Sequence, residues 1–341
     1  MTWPGPLPEA VGLAALVAMS APPAQAQHGH ATPPPVPDTA RGLSPDPQTG
    51  YILEEVGDGL FWIGNGSYMA MLMVGPEGVA LVDAPPSLDG LMQAAIAEAT
   101  GDRAVTHLIY SHLHGDHIGA AGRFAGATII AHADTARLLE RGRPCTDCVD
   151  IADPRPAPDV TFEESYRLDL GGGQILQLDD HGPNHSEGNI FIHAPNHRAL
   201  MLVDVAYPGW VPFDLLAVSS DIPGWIDAFD RILDYEFDAF VGGHLARTGT
   251  RADIEDNRAY VADVIAAATR ALEDNPRAEV IPPLGREFGF ENGWWLVDQH
   301  TRAVVAQCAD EVIAAWQGRL GGVETYAESH CARMQFSLRI D

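Results

Sequence analysis

Residues 111–117 read Ser-His-Leu-His-Gly-Asp-His, which places four metal-ligand side chains, His112, His114, Asp116 and His117, within six positions. Imidazole and carboxylate groups at that density are unfavourable to bury unless a cation or other partners satisfy them. The preceding stretch, 104–110, is apolar and β-branched and reads as a buried strand. Gly115 permits a tight turn, and 118–124 reads as the opening of a helix. The ligands therefore fall on a loop at the carboxyl end of a strand, where α/β sheets tend to carry their chemistry.

Catalytic zinc typically takes three protein ligands and leaves a position for water. The heptad cannot fill two such sites, so further ligands are expected downstream. His185 lies in Gly182-Pro-Asn-His-Ser-Glu-Gly-Asn189, before an apolar run; Asp204 closes the run 199–203; His244 follows Val241-Gly-Gly. Each sits at a strand-to-loop junction. His181, His193, His197 and His300 lack such a setting and read as structural or surface residues.

In this order of motifs the chain is similar to the metallo-β-lactamase superfamily, over roughly residues 51–250. The resemblance implies that His112, His114 and His185 hold one metal, that Asp116, His117 and His244 hold a second, and that Asp204 bridges them. It also implies two Zn2+ ions per chain, iron or manganese being the other metals such donors accept, and hydrolysis by a hydroxide shared between the ions. Asp83, closing a Leu-Val-Asp segment, matches a residue that orients a ligand imidazole. Asp116 is the expected proton carrier.

Departures from each relative narrow the substrate. Cysteine-ligand β-lactamases have Cys where Asp204 stands and usually Arg where His117 stands, and the all-histidine type lacks a bridging carboxylate. Glyoxalase II shares the ligands but grips glutathione with basic residues. N-acyl homoserine lactonases place a Tyr three residues after the bridging Asp, as Tyr207 stands here, and a phenol there can donate to a developing oxyanion. The expected substrate is a small, mostly apolar ester, lactone or amide. A β-lactam, a thioester and hydrolytic dehalogenation are the alternatives, as is an exported metal-binding protein without turnover. Ser67, Tyr68 and Met69 of one loop, with Trp210 and Phe213 of another, are the expected pocket walls.

Composition agrees with that chemistry. Formal charge is −27, and all 20 basic residues are arginine. Without lysine, Schiff-base, PLP and P-loop chemistry are excluded. An acidic chain repels polyanions, so nucleic acid is not an expected partner and a small neutral molecule is.

Residues 1–26 carry a short apolar run and an Ala24-Gln-Ala26 cleavage pattern, which read as a signal peptide although the n-region holds Glu9 and no basic residue. That run is too short to cross a membrane, so a periplasmic or secreted protein is expected. Residues 27–50 are rich in proline and read as an extended linker. Cys145 and Cys148 form a lone CxxC, either a tight disulfide or two thiols, while Cys308 and Cys331 lie in the tail.

Strand patterns at 51–56, 60–64, 68–74, 78–83, 104–110, 127–132, 174–179, 189–194, 199–204 and 238–241, interspersed with helices such as 88–99, suit an α/β fold of the αββα sandwich type. The catalytic domain is expected over 51–250. Residues 251–341 form a C-terminal helical appendage with long patterns at 254–273 and 298–317, a surface suited to a homodimer; 318–341 have no assigned role.

Overall fold

Alternation of apolar residues onto both faces of the strands builds two stacked sheets. The computed structural model describes residues 32–141 and 155–341. The first sheet runs, in spatial order, β1 (Ile52–Gly57), β2 (Leu60–Gly64), β3 (Met69–Gly75), β4 (Gly78–Val82), β5 (His107–Ile109), β6 (Thr128–His132) and β7 (Val160–Phe162). Neighbours are antiparallel up to β4 and parallel beyond it. The second sheet is built from β8 (Ser165–Asp169), β9 (Ile175–Asp179), β10 (Phe191–Ala194), β11 (Ala199–Met201) and β12 (Ala239–Val241), ordered β12-β11-β10-β9-β8.

Side chains on successive residues of a strand face opposite ways. On β3, Met69, Met71 and Met73 enter the core between the sheets, while Ala70 and Leu72 enter the outer core under α1 (Leu91–Thr100). On the second sheet Ile192, Ala199 and Met201 face inward, and Phe191 and Leu200 face the opposite helices. Two sheets buried on both faces and flanked by helices form an αββα sandwich, as expected. The heptad supplies a single turn, α2 (Gly115–Ile118), and α3 (Ala133–Arg141) follows β6.

The remaining elements are the four-residue turn α4 (Asp214–Ala217), α5 (Ile222–Asp234), α6 (Arg251–Asp274), α7 (Arg277–Phe288), α8 (Gly293–Trp316) and α9 (Val323–Ile340). Helix α5 opens on an Asp221 side chain that accepts from Gly224 N at 2.8 Å. It buries Ile222, Trp225, Phe229 and Ile232 at helical spacing.

The helices beyond residue 250 share one hydrophobic cluster with the second sheet: Tyr260, Val304, Trp316 and Ala327 pack with Phe191 and Leu200. They are the expected C-terminal helical region, packed against that sheet, and residues 34–341 form one compact unit. The linker, in its described part, is a strap. Thr39 O accepts from Arg247 at 2.7 Å, Leu43 N donates to Ala246 O at 2.7 Å, and Ala40 is buried. The signal-peptide segment and the Cys145–Cys148 pair lie outside the described residues. Cys308 and Cys331, unassigned from sequence, form a disulfide between α8 and α9.

Candidate metal centre

Four strand ends bring the site together. Asp83 follows β4, the heptad follows β5, Asp204 follows β11 and His244 follows β12, while His185 arrives on the loop between β9 and β10. Backbone hydrogen bonds fasten these loops: Asp83 N to Ile109 O at 2.9 Å, Ala84 N to His117 O at 2.8 Å and Ile190 N to Ser111 O at 3.0 Å. Asp83 and Asp204 both hold left-handed backbones, at φ 65° and 62°, a conformation in which Asp is enriched. Gly243 is held at φ 83°, and a Cβ there would stand 2.6 Å from Val203 Cγ1, so the loop that delivers His244 needs glycine.

All seven expected ligands converge. His112, His114, His185 and Asp204 form one cluster of donor atoms and Asp116, His117 and His244 another, with donors in each within 4.8 Å of one another. Asp204 stands between them: its Oδ2 lies 3.3 Å from His185 Nε2, 3.2 Å from His117 Nε2 and 3.6 Å from His112 Nε2, and its Oδ1 lies 2.9 Å from His244 Nε2. Nitrogens bound to zinc at about 2.1 Å sit about 3.4 Å apart at the corners of a tetrahedron. The observed oxygen-to-nitrogen spacings of 2.9 to 3.6 Å bracket that figure. His112 Nε2 is buried without a hydrogen-bond partner and aims into the first cluster. The donors thus fit divalent metal ions.

Outer contacts fix the ligand rings. Ser111 Oγ lies 2.9 Å from His112 Nδ1, and Ser67 O accepts from His244 Nδ1 at 3.2 Å. Asp83 accepts from Ser111 N at 2.8 Å, and its other oxygen lies 3.9 Å from His117 Nδ1. At 3.9 Å those two buried atoms face each other without a hydrogen bond.

Charge is graded across the cluster. Burial holds His112 and His114 below the usual imidazole range and brings His185 to about 4, so all three are neutral, the form that binds metal. Burial also opposes charge on His117, yet Asp204, Asp116 and Asp83 outweigh it and raise this residue to about 9. Asp204 is buried too, but the surrounding His117, His185 and His244 keep it ionised, well below the usual carboxylate range. Burial raises Asp83 to about 6.

A cavity of about 550 Å³ opens onto this cluster. Ser67, Tyr68, Trp210 and Phe213 line it as expected, and so do Tyr207, His114, Asp116 and His185. Met69 does not. Alternation along β3 turns it into the core between the sheets, fully buried. The Tyr207 hydroxyl donates to Asp204 Oδ1 at 3.1 Å, and the Tyr68 hydroxyl to Asp116 Oδ2 at 3.3 Å. Trp210 is braced by the strap, its indole N–H donating to Ala40 O at 2.8 Å. His181, His193, His197 and His300 bond to Tyr235, Glu236 O, Gln174 and Asn275 O and take no part in the cluster, as expected.

Sequence reasoning missed Val218, Leu245 and Tyr326. Residues 215–218 are four consecutive non-glycine positions with φ between 53° and 60°, a left-handed turn that costs roughly 1–2 kcal/mol per residue. Tyr326 comes from α9, in the stretch that carried no assignment.

The sequence model of the metallo-β-lactamase superfamily matches residues 63–244, over half of the chain. The protein belongs to that superfamily. Among its relatives, the 2,4-dinitroanisole O-demethylase subunit alpha of a Nocardioides species is 29% identical over 205 residues, 58% of this chain and 60% of that protein. The chain thus spans less than two thirds of that relative's length. The human acyl-coenzyme A thioesterase MBLAC2 is 25% identical over 221 residues, 54% of this chain and 77% of that protein. A metallo-β-lactamase from Pontibacter korlensis superposes with a TM-score of 0.51 at 16% identity, over 61% of this chain and 97% of that one, and so shares the fold. The superfamily supports a hydrolase in general, and with the His/Asp cluster it suggests a divalent-metal site.

Proposed function

We propose that the protein is a zinc hydrolase of small, uncharged, mostly apolar esters, lactones or amides. One observation carries this reading: the cavity over the metal cluster is walled by Tyr68, Tyr207, Trp210, Val211, Phe213 and Tyr326, and no arginine lines it among the described residues. A substrate bearing carboxylates or phosphates would find no cationic side chain there, which argues against β-lactams, glutathione thioesters and coenzyme A thioesters. Bound divalent cations supply water activation and carbonyl polarisation.

The chain's own groups do the rest. His112, His114, His185, Asp116, His117, Asp204 and His244 would hold the ions, and Asp83 faces His117. Asp116 is about half exposed at the cavity, with one oxygen bonded to Tyr68, and is placed to carry protons between the site and solvent. Burial, then Asp204, raise the Tyr207 phenol well above its usual range, so it stays protonated, and its single O–H, now given to Asp204 Oδ1, turns to the reacting carbonyl when substrate is bound. Apolar walls exclude water around the acyl group.

Cleavage of an activated aryl ether is a second reading. The aromatic walls and the Nocardioides relative, named for an uncharged nitroaryl ether, favour it. An exported location belongs to the proposal and is supported by the Cys308–Cys331 disulfide. Among the described residues no helix is long and apolar enough to cross a membrane. A homodimer through the C-terminal helices is also proposed, supported by the exposed Phe288, Phe290 and Trp294; its test is the mass in solution.

The deciding experiment is a panel on zinc-reconstituted protein: phenyl acetate, an acyl homoserine lactone, 2,4-dinitroanisole, nitrocefin and an acyl-coenzyme A. Turnover of the uncharged substrates with little of the last two is expected. Turnover confined to nitrocefin or the acyl-coenzyme A overturns the reading.

A further inference from the structure

The outer half of the cavity combines residues 213–218, inside the superfamily match at residues 63–244, with Tyr326 of α9, which lies beyond it. Tyr326 reaches it from α9, and Phe213, Ala217 and Val218 reach it from the left-handed turn. The Phe213 and Tyr326 rings meet edge to face at 5.5 Å. Helix α9 also fastens that turn: Leu215 N donates to Ser329 Oγ at 3.2 Å, and His330 Nε2 donates to Phe213 O at 3.1 Å. The backbone is thus held in a disfavoured conformation whose result is to present apolar side chains at a cavity mouth. Phe213 is 52% exposed and Val218 56% exposed. Leaving such groups in water is unfavourable, and an apolar guest that covers them recovers the loss. An edge-to-face pair of rings offers a further ring both an aromatic face and an edge to pack against.

We propose that Tyr326, Phe213 and Val218 form a recognition subsite for an uncharged aryl portion of the substrate, making α9 a specificity-determining element of the site. The inference rests on the hydrolase reading for its place in the reaction, but binding tests it separately. Acetophenone is an uncharged aryl ketone that a hydrolase cannot cleave, and cyclohexyl methyl ketone is its saturated counterpart of similar size. Titration into metal-reconstituted protein, followed by calorimetry and tryptophan fluorescence, is expected to show acetophenone bound about tenfold more tightly than the cyclohexyl ketone. Tyr326→Ala and, separately, Phe213→Ser should each weaken acetophenone binding about tenfold. Phe213 is half exposed, so its variant remains informative if the Tyr326 variant misfolds. Equal affinity for the two ketones, no binding of either, or wild-type affinity in the Phe213 variant overturns the subsite. Aryl-selective binding without hydrolysis of any ester in the panel removes the hydrolase reading and leaves the subsite standing.

Discussion

His117 Nε2 and His244 Nε2 face each other at 3.1 Å. Only one of two imidazole nitrogens so placed can donate to the other, and Asp204 competes for both. A cation between them satisfies all three. Metal loading should therefore stabilise the fold, since a ligand held by the native state at 100 times its Kd adds about 2.7 kcal/mol per site. Removing metal with a chelator should lower the thermal midpoint by at least about 5 °C, and zinc should restore it with two equivalents bound. Calorimetry with elemental analysis reads both; an unchanged midpoint would detach the cluster from metal binding.

The Asp83 carboxylate touches no expected metal directly, yet it accepts from Ser111 N and faces His117. Asp83→Ala should weaken metal binding about 10–100-fold, the usual cost of losing a group that orients a ligand ring. Competition against a chromogenic chelator measures it. Wild-type affinity would show that the His117 ring is held by packing alone.

Tyr207 is buried and its hydroxyl lies 3.1 Å from Asp204 Oδ1. If this O–H turns from Asp204 to the reacting carbonyl, its removal in Tyr207→Phe should lower kcat by about 10²-fold. The two-metal stoichiometry should be retained. A loss under about twofold takes Tyr207 out of the reaction, and loss of one metal equivalent instead assigns it to holding Asp204.

The ligand set was legible in the sequence because the heptad, Asp204 and His244 follow apolar runs, where a strand must stop, and His185 precedes one. The same runs gave most strands of both sheets. β7 and β8 were missed because each is short and carries polar residues on its solvent face, as in Val160–Phe162 and Ser165–Asp169. Helix α5 announces itself through Asp221, Pro223 and the spacing of Ile222, Trp225, Phe229 and Ile232, but the neighbouring turn chemistry masked it. Met69 was misplaced because strand β3 starts at that residue, so the loop ends one position earlier than its glycines suggest. Tyr326 was out of reach, since no local pattern tells which face of a tail helix meets a cavity formed by residues a hundred positions away.

The disulfide between Cys308 and Cys331 spans 23 residues and pins α9, the carrier of Tyr326, against α8. Closing a loop of that length stabilises the fold by about 3 kcal/mol through restriction of the unfolded chain. Cys308→Ala/Cys331→Ala should lose about that much in urea denaturation. A change below about 0.5 kcal/mol would mean that packing of α8 on α9 already restricts the unfolded chain.

His330 is fully buried on α9, accepting from the Tyr260 hydroxyl at 2.7 Å through Nδ1 and donating to Phe213 O through Nε2. Burial brings its pKa to about 4, against about 6.5 in an unfolded chain. Between those values the unfolded state binds more protons than the folded one. Stability is therefore undiminished above about pH 6.5 and falls as pH drops toward 4. His330→Gln offers a donor and an acceptor without titrating, so the wild type should lose about 2 kcal/mol more than the variant between pH 7 and pH 5. Denaturant titrations of both proteins at the two pH values measure the difference, which cancels the carboxylates and metal ligands common to both. Parallel losses would show that His330 is charged in the folded protein, and the hydrogen bond from Tyr260 would then have to run the other way.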